Sequence, residues 1–246
     1  MPLFDLPRGH VGDLEYGVPI FTCRNPGQIA LTFEDGPSQY TQDILDLLDH
    51  YDFKGTFFMT GTNTSVAPAA RHTHIDDEET GWPALLSRIH ETGHQFASHT
   101  YTRARLDGIS SQGVAEEMVY NEMAFRNAIG LIPAYMRPPF DVWRDPAVRE
   151  QLDGLGYHII LHDIDTRDYE NDGENTIQKS VEIFNNAIRF DGNGSYIVRM
   201  QDTRQWTAMK LLPAVLESME VRGYKGVTVG QCLDDAFFYW YRQPEA

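Results

Sequence analysis

The 246-residue sequence is short of basic residues, of cysteine and of long apolar runs. Its 20 Lys and Arg stand against 36 Asp and Glu, a formal net charge of −16 with a pI near 4.8. That imbalance argues against nucleic acid or an anionic membrane surface as partner, since both repel a chain of the same sign. No apolar run approaches the roughly 20 residues that cross a bilayer. The opening Met1-Pro2-Leu3-Phe4-Asp5-Leu6-Pro7 has neither the charged start nor the apolar core of a secretory leader, which reads as an intracellular chain or as the mature form of a secreted one. There is no Gly-rich phosphate loop, no internal repeat and no Pro/Ser/Gly-rich linker, so P-loop chemistry and solenoids are excluded and one domain over residues 1–246 is expected, with its core at about 23–234. With only two cysteines, a disulfide-rich scaffold is excluded as well. Cys23 precedes the first strand-like run and Cys232 follows the last, so a single bridge could close the fold if those strands are neighbours; two separate buried thiols are the alternative. The sequons Asn63-Thr64-Ser65 and Asn193-Gly194-Ser195 lean toward secretion, to an extracellular or cell-wall location.

What the chain does have is an alternation of strand-like and helical segments. Strand-like runs fall at 28–33, 55–59, 95–98, 135–137, 158–161, 195–198 and 226–229. Helical patterns lie between them at 40–51, 83–92, 111–129, 146–155, 175–188 and 208–221. Gly93, Gly130, Gly156 and Gly223 follow helical stretches, where a left-handed cap costs glycine no strain. Alternation of this kind predicts parallel strands with crossover helices, hence an α/β barrel or a doubly wound sheet. The segment 61–81 reads as a surface insertion, and Phe237-Phe238-Tyr239-Trp240-Tyr241 as a helix packing on the barrel bottom, with a sugar-stacking platform as the alternative.

Thr32-Phe33-Glu34-Asp35-Gly36-Pro37 carries the chemistry. It places two adjacent carboxylates at the end of an apolar run, and strand carboxyl ends are where ligands bind in α/β folds. One carboxylate could hold a divalent cation while the other accepts a proton from the attacking water; a solvated acidic turn is the bland reading. Among the histidines, His72 and His74 read as exposed loop groups, and His94 and His158 as hydrogen-bonded core or rim groups. His162 is a candidate replacement acid.

Thr32 to Pro37 resembles the first motif of the polysaccharide deacetylases, the chitin deacetylase-like carbohydrate esterases, usually worded Thr-Phe-Asp-Asp-Gly-Pro. Four more motifs follow in the family's order: His99-Thr100-Tyr101-Thr102-Arg103, Arg137-Pro138-Pro139-Phe140, Asp165-Thr166-Arg167-Asp168-Tyr169 and Ile197-Val198-Arg199-Met200-Gln201. The resemblance implies a distorted (β/α) barrel of about seven parallel strands with outer helices. The activity it implies is removal of acetyl groups from N-acetylglucosamine polymers such as chitin, with a zinc-like cation held by Asp-His-His. It assigns Glu34 to the general base, Asp35 and His99 to the metal, Arg137 to steadying the base and Asp168 to tuning the catalytic His, with Pro138, Pro139, Phe140, Tyr169 and Arg199 along the substrate.

Several of these positions depart from the family wording. The base is Glu34 in place of Asp, the second metal His is Arg103, the general-acid His is Gln201 and the apolar residue against the acetyl methyl is Arg199. Phe140 and Tyr169 replace a Tyr and a Trp. A guanidinium has no lone pair for a metal, and a Gln side chain cannot deliver a proton. The expectation is therefore a glycan-binding member of the fold with no bound cofactor and with deacetylase chemistry lost or very weak. Asp35 is expected to pair with Arg103 in the cation's place, within a cluster that also collects Glu34, Asp168 and Arg199. An active zinc-dependent deacetylase using Glu34 as base, and a regulatory or cell-wall structural protein without catalysis, are the alternatives.

Overall fold

The structure is a computed structural model and describes residues 8–10, 12–62 and 73–243. Asn63 and His72 lie outside the described residues. The elements in chain order are β1 (Pro19–Ile20), β2 (Gln28–Gly36), α1 (Thr41–His50), β3 (Gly55–Met59), α2 (Trp82–Glu91), β4 (Gln95–Ser98), α3 (Ser111–Ile129), β5 (Ile132–Pro133), β6 (Tyr135–Met136), α4 (Pro146–Gly154), β7 (His158–Ile160), β8 (Ile164–Asp165), α5 (Gln178–Ala187), β9 (Ser195–Gln201), α6 (Leu212–Val221), β10 (Lys225–Gly226), α7 (Val229–Cys232) and β11 (Tyr241–Arg242).

Nine strands form one parallel sheet in the order β1-β7-β6-β4-β3-β2-β9-β8, with β10 joining the start of β2. β1 and β8 are the unpaired ends, so the barrel stays open between them. The expected distorted (β/α) barrel is thus present, with nine parallel strands where the sequence suggested about seven, because β1 and β8 are two-residue strands too short to leave a periodic signal. β2 is its central strand and is buried on both faces, which explains its continuous apolar run. Phe33 and Phe57 stack at 5.0 Å between ring centroids, and Ile29, Leu31, Phe96 and Ile197 complete a core that α1, α2, α5 and α6 cover.

Several local expectations change. The run 226–229 supplies only a two-residue strand, because Thr228 caps α7 through a reciprocal capping box with Gln231. The aromatic end does pack under the barrel, where the Tyr241 hydroxyl accepts the Phe96 backbone N–H at 3.2 Å, but not as a helix. Phe237–Tyr239 is a single 3-10 turn, and Tyr241–Arg242 pairs antiparallel with β5. The helix expected at 208–221 opens with a π-helical stretch, Thr207–Leu211, and that at 175–188 is shorter, Gln178–Ala187. Gly93, Gly130, Gly156 and Gly223 all take positive φ where the helices end. Cys23 and Cys232 are bridged across a sequence separation of 209, joining the segment before β2 to the end of α7.

Candidate active site

Two carboxylates adjacent in sequence serve different neighbours because the ladder between β2 and β3 is interrupted between them. Glu34 pairs with Phe58 and Gly36 with Met59, so Asp35 is skipped and takes a left-handed conformation at φ 68°. Glu34 turns toward β6 and β9, and Asp35 toward the loop after β4. Thr100, Arg103, Phe140, Asp141 and Arg167 also have positive φ, and they all follow the carboxyl ends of β4, β6 and β8. Left-handed backbone at non-glycine residues costs energy and gathers at functional sites. Gly36 is held to glycine by space: a Cβ there would lie 2.5 Å from Oδ2 of Asp202, an oxygen 2.8 Å from the Thr41 hydroxyl that donates to this carboxylate.

Glu34 is buried between two guanidinium groups. Arg137 Nη1 donates to its Oε1 at 3.1 Å and Arg199 Nε to its Oε2 at 3.0 Å, while Gln201 Nε2 is 3.5 Å from Oε2. Burial pushes this carboxyl up, but Arg199, His99, Arg137 and His162 outweigh it and bring the pKa down to about 2. Arg137 is itself fixed on every side: it donates to Thr32 Oγ1 at 2.8 Å and to the carbonyls of Ile160 and Leu161 at 3.0 and 2.8 Å, and its guanidinium lies over the Phe58 ring.

At Asp35 the short ion pair is with Arg103 Nε, and His99 Nε2 stands 3.5 Å from the same oxygen. His99 Nδ1–H donates to the Arg137 carbonyl at 2.8 Å, which leaves Nε2 as the lone-pair nitrogen facing Asp35. Burial lowers the His99 pKa, against the pull of Glu34 and Asp35. Asp35 and His99 are thus placed side by side, as two ligands of one cation would be. A zinc centre needs three or four lone-pair donors, and here a guanidinium sits where a third donor belongs and occupies the Asp35 oxygen. Among the described residues no group of three or more His, Cys, Asp and Glu is placed to hold a metal. The residues present do not fit the cation.

Arg199, on β9, is nine-tenths buried, and besides Glu34 it binds Asp141 Oδ2 at 3.0 Å and lies 3.7 Å from Asp165 Oδ2. These carboxylates raise its pKa. Asp168 does not join the charged cluster as expected. It accepts the Gln201 amide at 2.7 Å and the Thr207 hydroxyl at 2.6 Å, and burial without a cation lifts its pKa to about 6. His162 is 3.9 Å from Asp141, and burial with Arg137 nearby lowers it to about 4, which leaves it unprotonated at neutral pH and unsuited to act as an acid. His94 and His158 are buried and hydrogen-bonded, and His74 accepts or donates with the Tyr101 hydroxyl at 2.9 Å.

The side chains converge on an open cleft of about 420 Å3, lined by Arg103, Phe140, Asp141, Tyr169, Arg199 and Arg204, with Gln201 at its base. Phe140 lies under the Arg103 guanidinium and Tyr169 under that of Arg199, at 5.0 and 5.3 Å. Pro138 and Pro139 shape the turn that presents Phe140 and are not among the lining residues. Asp141 and Arg204 were not foreseen. The sequence signal was proximity alone, one residue past the third motif and three past the fifth. A larger cavity of about 590 Å3 opens at the opposite ends of β2 and β10, and none of the strand-end carboxylates or histidines reach it.

A family model described as polysaccharide deacetylase matches residues 22–160. A chitin deacetylase of Colletotrichum lindemuthianum is 38% identical over 227 residues, covering 92% of this chain and 87% of the relative. A chitin deacetylase of Pestalotiopsis sp is 35% identical over 226 residues, covering 92% and 70%. The solved structure of the chitin deacetylase from the fungal pathogen Colletotrichum lindemuthianum matches with a TM-score of 0.87 at 37% identity, over 95% of this chain and 99% of that one. With motifs, barrel and relatives in agreement, this chain belongs to the polysaccharide deacetylase family.

Proposed function

We propose that this chain is a secreted, single-domain polysaccharide deacetylase-like protein that binds a glycan at the barrel mouth without deacetylating it. The observation that carries this reading is the Asp35–Arg103 ion pair, which puts a permanent cation on the would-be metal ligand. Three further features support it. Glu34, held near a pKa of about 2 by its arginines, is a poor proton acceptor at neutral pH. Gln201 offers an amide where acid catalysis needs a proton, and Arg199 places charge where the acetyl methyl needs an apolar wall. Losses of this kind fall on one catalytic unit and are not multiplied together.

The cleft keeps what binding needs, with Phe140 and Tyr169 as ring faces for a pyranose and polar groups to orient it. The chitin deacetylase relatives point to an N-acetylglucosamine polymer as the ligand class. Secretion is supported by the Cys23–Cys232 bridge, which persists in oxidising compartments, and among the described residues no helix is long and apolar enough to cross a membrane.

A second reading is favoured by His99, whose free Nε2 is aimed as a metal ligand would be. If Arg103 swings aside, Asp35, His99 and Glu34 could hold zinc and the enzyme would be active. Acetate release from N-acetylglucosamine oligomers with and without added zinc separates the two: none in either condition supports the first reading, and zinc-dependent release supports the second.

A further inference from the structure

The chain has only 20 Lys and Arg against 36 Asp and Glu, yet three arginines line this one cleft of about 420 Å3. Their guanidinium hydrogens are only partly used. Arg103 engages Asp35 through Nε, and neither of its Nη atoms has a hydrogen-bond partner among the described residues. Arg199 uses Nε and Nη1, leaving Nη2. Arg204 is 3.6 Å from Asp172, beyond a good hydrogen bond, and its Nε has no partner. The three come from the loop after β4, from β9 and from the segment after β9, so they face one space from different sides.

We propose that the sugar taken at the centre of this cleft carries a carboxylate, making the ligand a uronic-acid-containing or otherwise carboxylated glycan. This rests on the reading of the cleft as a glycan site, and it puts a carboxylated glycan in place of the neutral N-acetylglucosamine polymer to which the relatives point. Guanidinium matches a carboxylate through paired N–H donors, and Phe140 and Tyr169 flank the arginines as apolar faces for the ring that bears it. A free amine, as in glucosamine, meets three like charges against the one lining carboxylate, Asp141, which Arg199 already engages, and is disfavoured. Asp35 and Asp141 engage Arg103 and Arg199 and leave their outward donors unfilled, while Arg204 is held only loosely, 3.6 Å from Asp172.

The test is calorimetric titration of the whole chain with a tetragalacturonate, an N-acetylglucosamine tetramer and a glucosamine tetramer, at low and at physiological salt. The expected order is uronate about tenfold or more above N-acetylglucosamine, with glucosamine weakest, and with the uronate affinity falling as salt rises. Arg204→Gln, a partly exposed side chain whose loss should leave the fold unchanged by circular dichroism, is expected to lower uronate affinity about tenfold, a larger loss than for N-acetylglucosamine, so that the preference for uronate narrows. Equal or tighter binding of the neutral tetramer, no uronate binding, or an unaltered Arg204→Gln affinity overturns the proposal. Binding of the neutral tetramer alone overturns this inference while leaving the non-hydrolytic glycan reading intact, whereas acetate release from that tetramer overturns the reading itself.

Discussion

Replacing Arg199 with Leu restores the apolar residue that the family wording places there, and it should destabilise the fold. In the structure Arg199 is the largest favourable influence on Glu34, which is buried with its pKa depressed from 4.5 to about 2. A shift of that size corresponds to roughly 3 kcal/mol of stabilisation of the charged form, shared among Arg199, His99, Arg137 and His162. Removing Arg199 leaves Glu34 with Arg137 at 3.1 Å and strips Asp141 of its partner. Breaking a buried pair from one side costs about 3–5 kcal/mol; with Arg137 still present, about 2–3 kcal/mol is expected. For a chain of this length that is a fall of roughly 4–12 °C in Tm.

Urea unfolding of wild type and Arg199→Leu from pH 7 down to pH 3 measures it. A carboxylate with a depressed folded pKa contributes stability that is complete above its unfolded pKa of 4.5 and is lost as pH falls toward about 2. The variant's deficit should therefore be full at pH 7 and shrink in acid, as Glu34 becomes protonated and no longer needs a cation. A deficit below about 0.5 kcal/mol at pH 7, the scale of an exposed ion pair, or one that does not change with pH, refutes the reasoning.

Other outcomes follow from the same geometry. Glu34→Asp, Arg103→His, Arg199→Leu and Gln201→His combined should gain stoichiometric zinc binding and measurable acetate release from N-acetylglucosamine oligomers; a folded variant with neither shows that more than these four positions separates the cleft from an enzyme. Replacing Cys23 and Cys232 with Ser opens a crosslink over a separation of 209 residues and should cost about 2–5 kcal/mol in denaturant unfolding, with a loss under 1 kcal/mol contradicting a stabilising bridge. His94 Nδ1 accepts the Gly55 amide while Nε2 meets Asp49, so NMR should find it neutral, with the proton on Nε2, until pH falls to about 4; titration near 6.5 would contradict the burial. Because that pKa is depressed, its contribution to stability is present above 6.5 and lost as pH falls through 4. Gly36→Ala forces a Cβ against Asp202 and should cost about 1–3 kcal/mol by thermal melting, whereas a neutral effect would mean the strand end yields.

The long elements were legible because their signals are local. β2, β3, β4 and α3 read from apolar runs and helical period, and their bounds differ little from the structure. The two-residue strands β1 and β8 were not, because their pairing is decided by neighbours distant in sequence. Thr228 shows the same competition at one residue, since its β-branched run yields to the cap it makes for α7. At the site, motif order named Glu34, Asp35, His99, Arg137 and Asp168, and the pairing of Asp35 with Arg103 followed from counting charges. What charge counting could not give was partition. Arg199 is shared among Glu34, Asp141 and Asp165, and Asp168 is satisfied by Thr207 and a backbone amide, because the skipped residue between β2 and β3 and the left-handed loop residues set directions that no linear pattern encodes.

The central claim is that a guanidinium has taken the cation's place on Asp35. Titrating the purified, chelator-treated protein with zinc by calorimetry tests it most directly, alongside Arg103→His as the comparison. No stoichiometric binding to the wild-type chain, and its appearance in Arg103→His, is the predicted result. Tight one-to-one zinc binding by the wild-type chain that is abolished by Asp35→Asn would contradict the account.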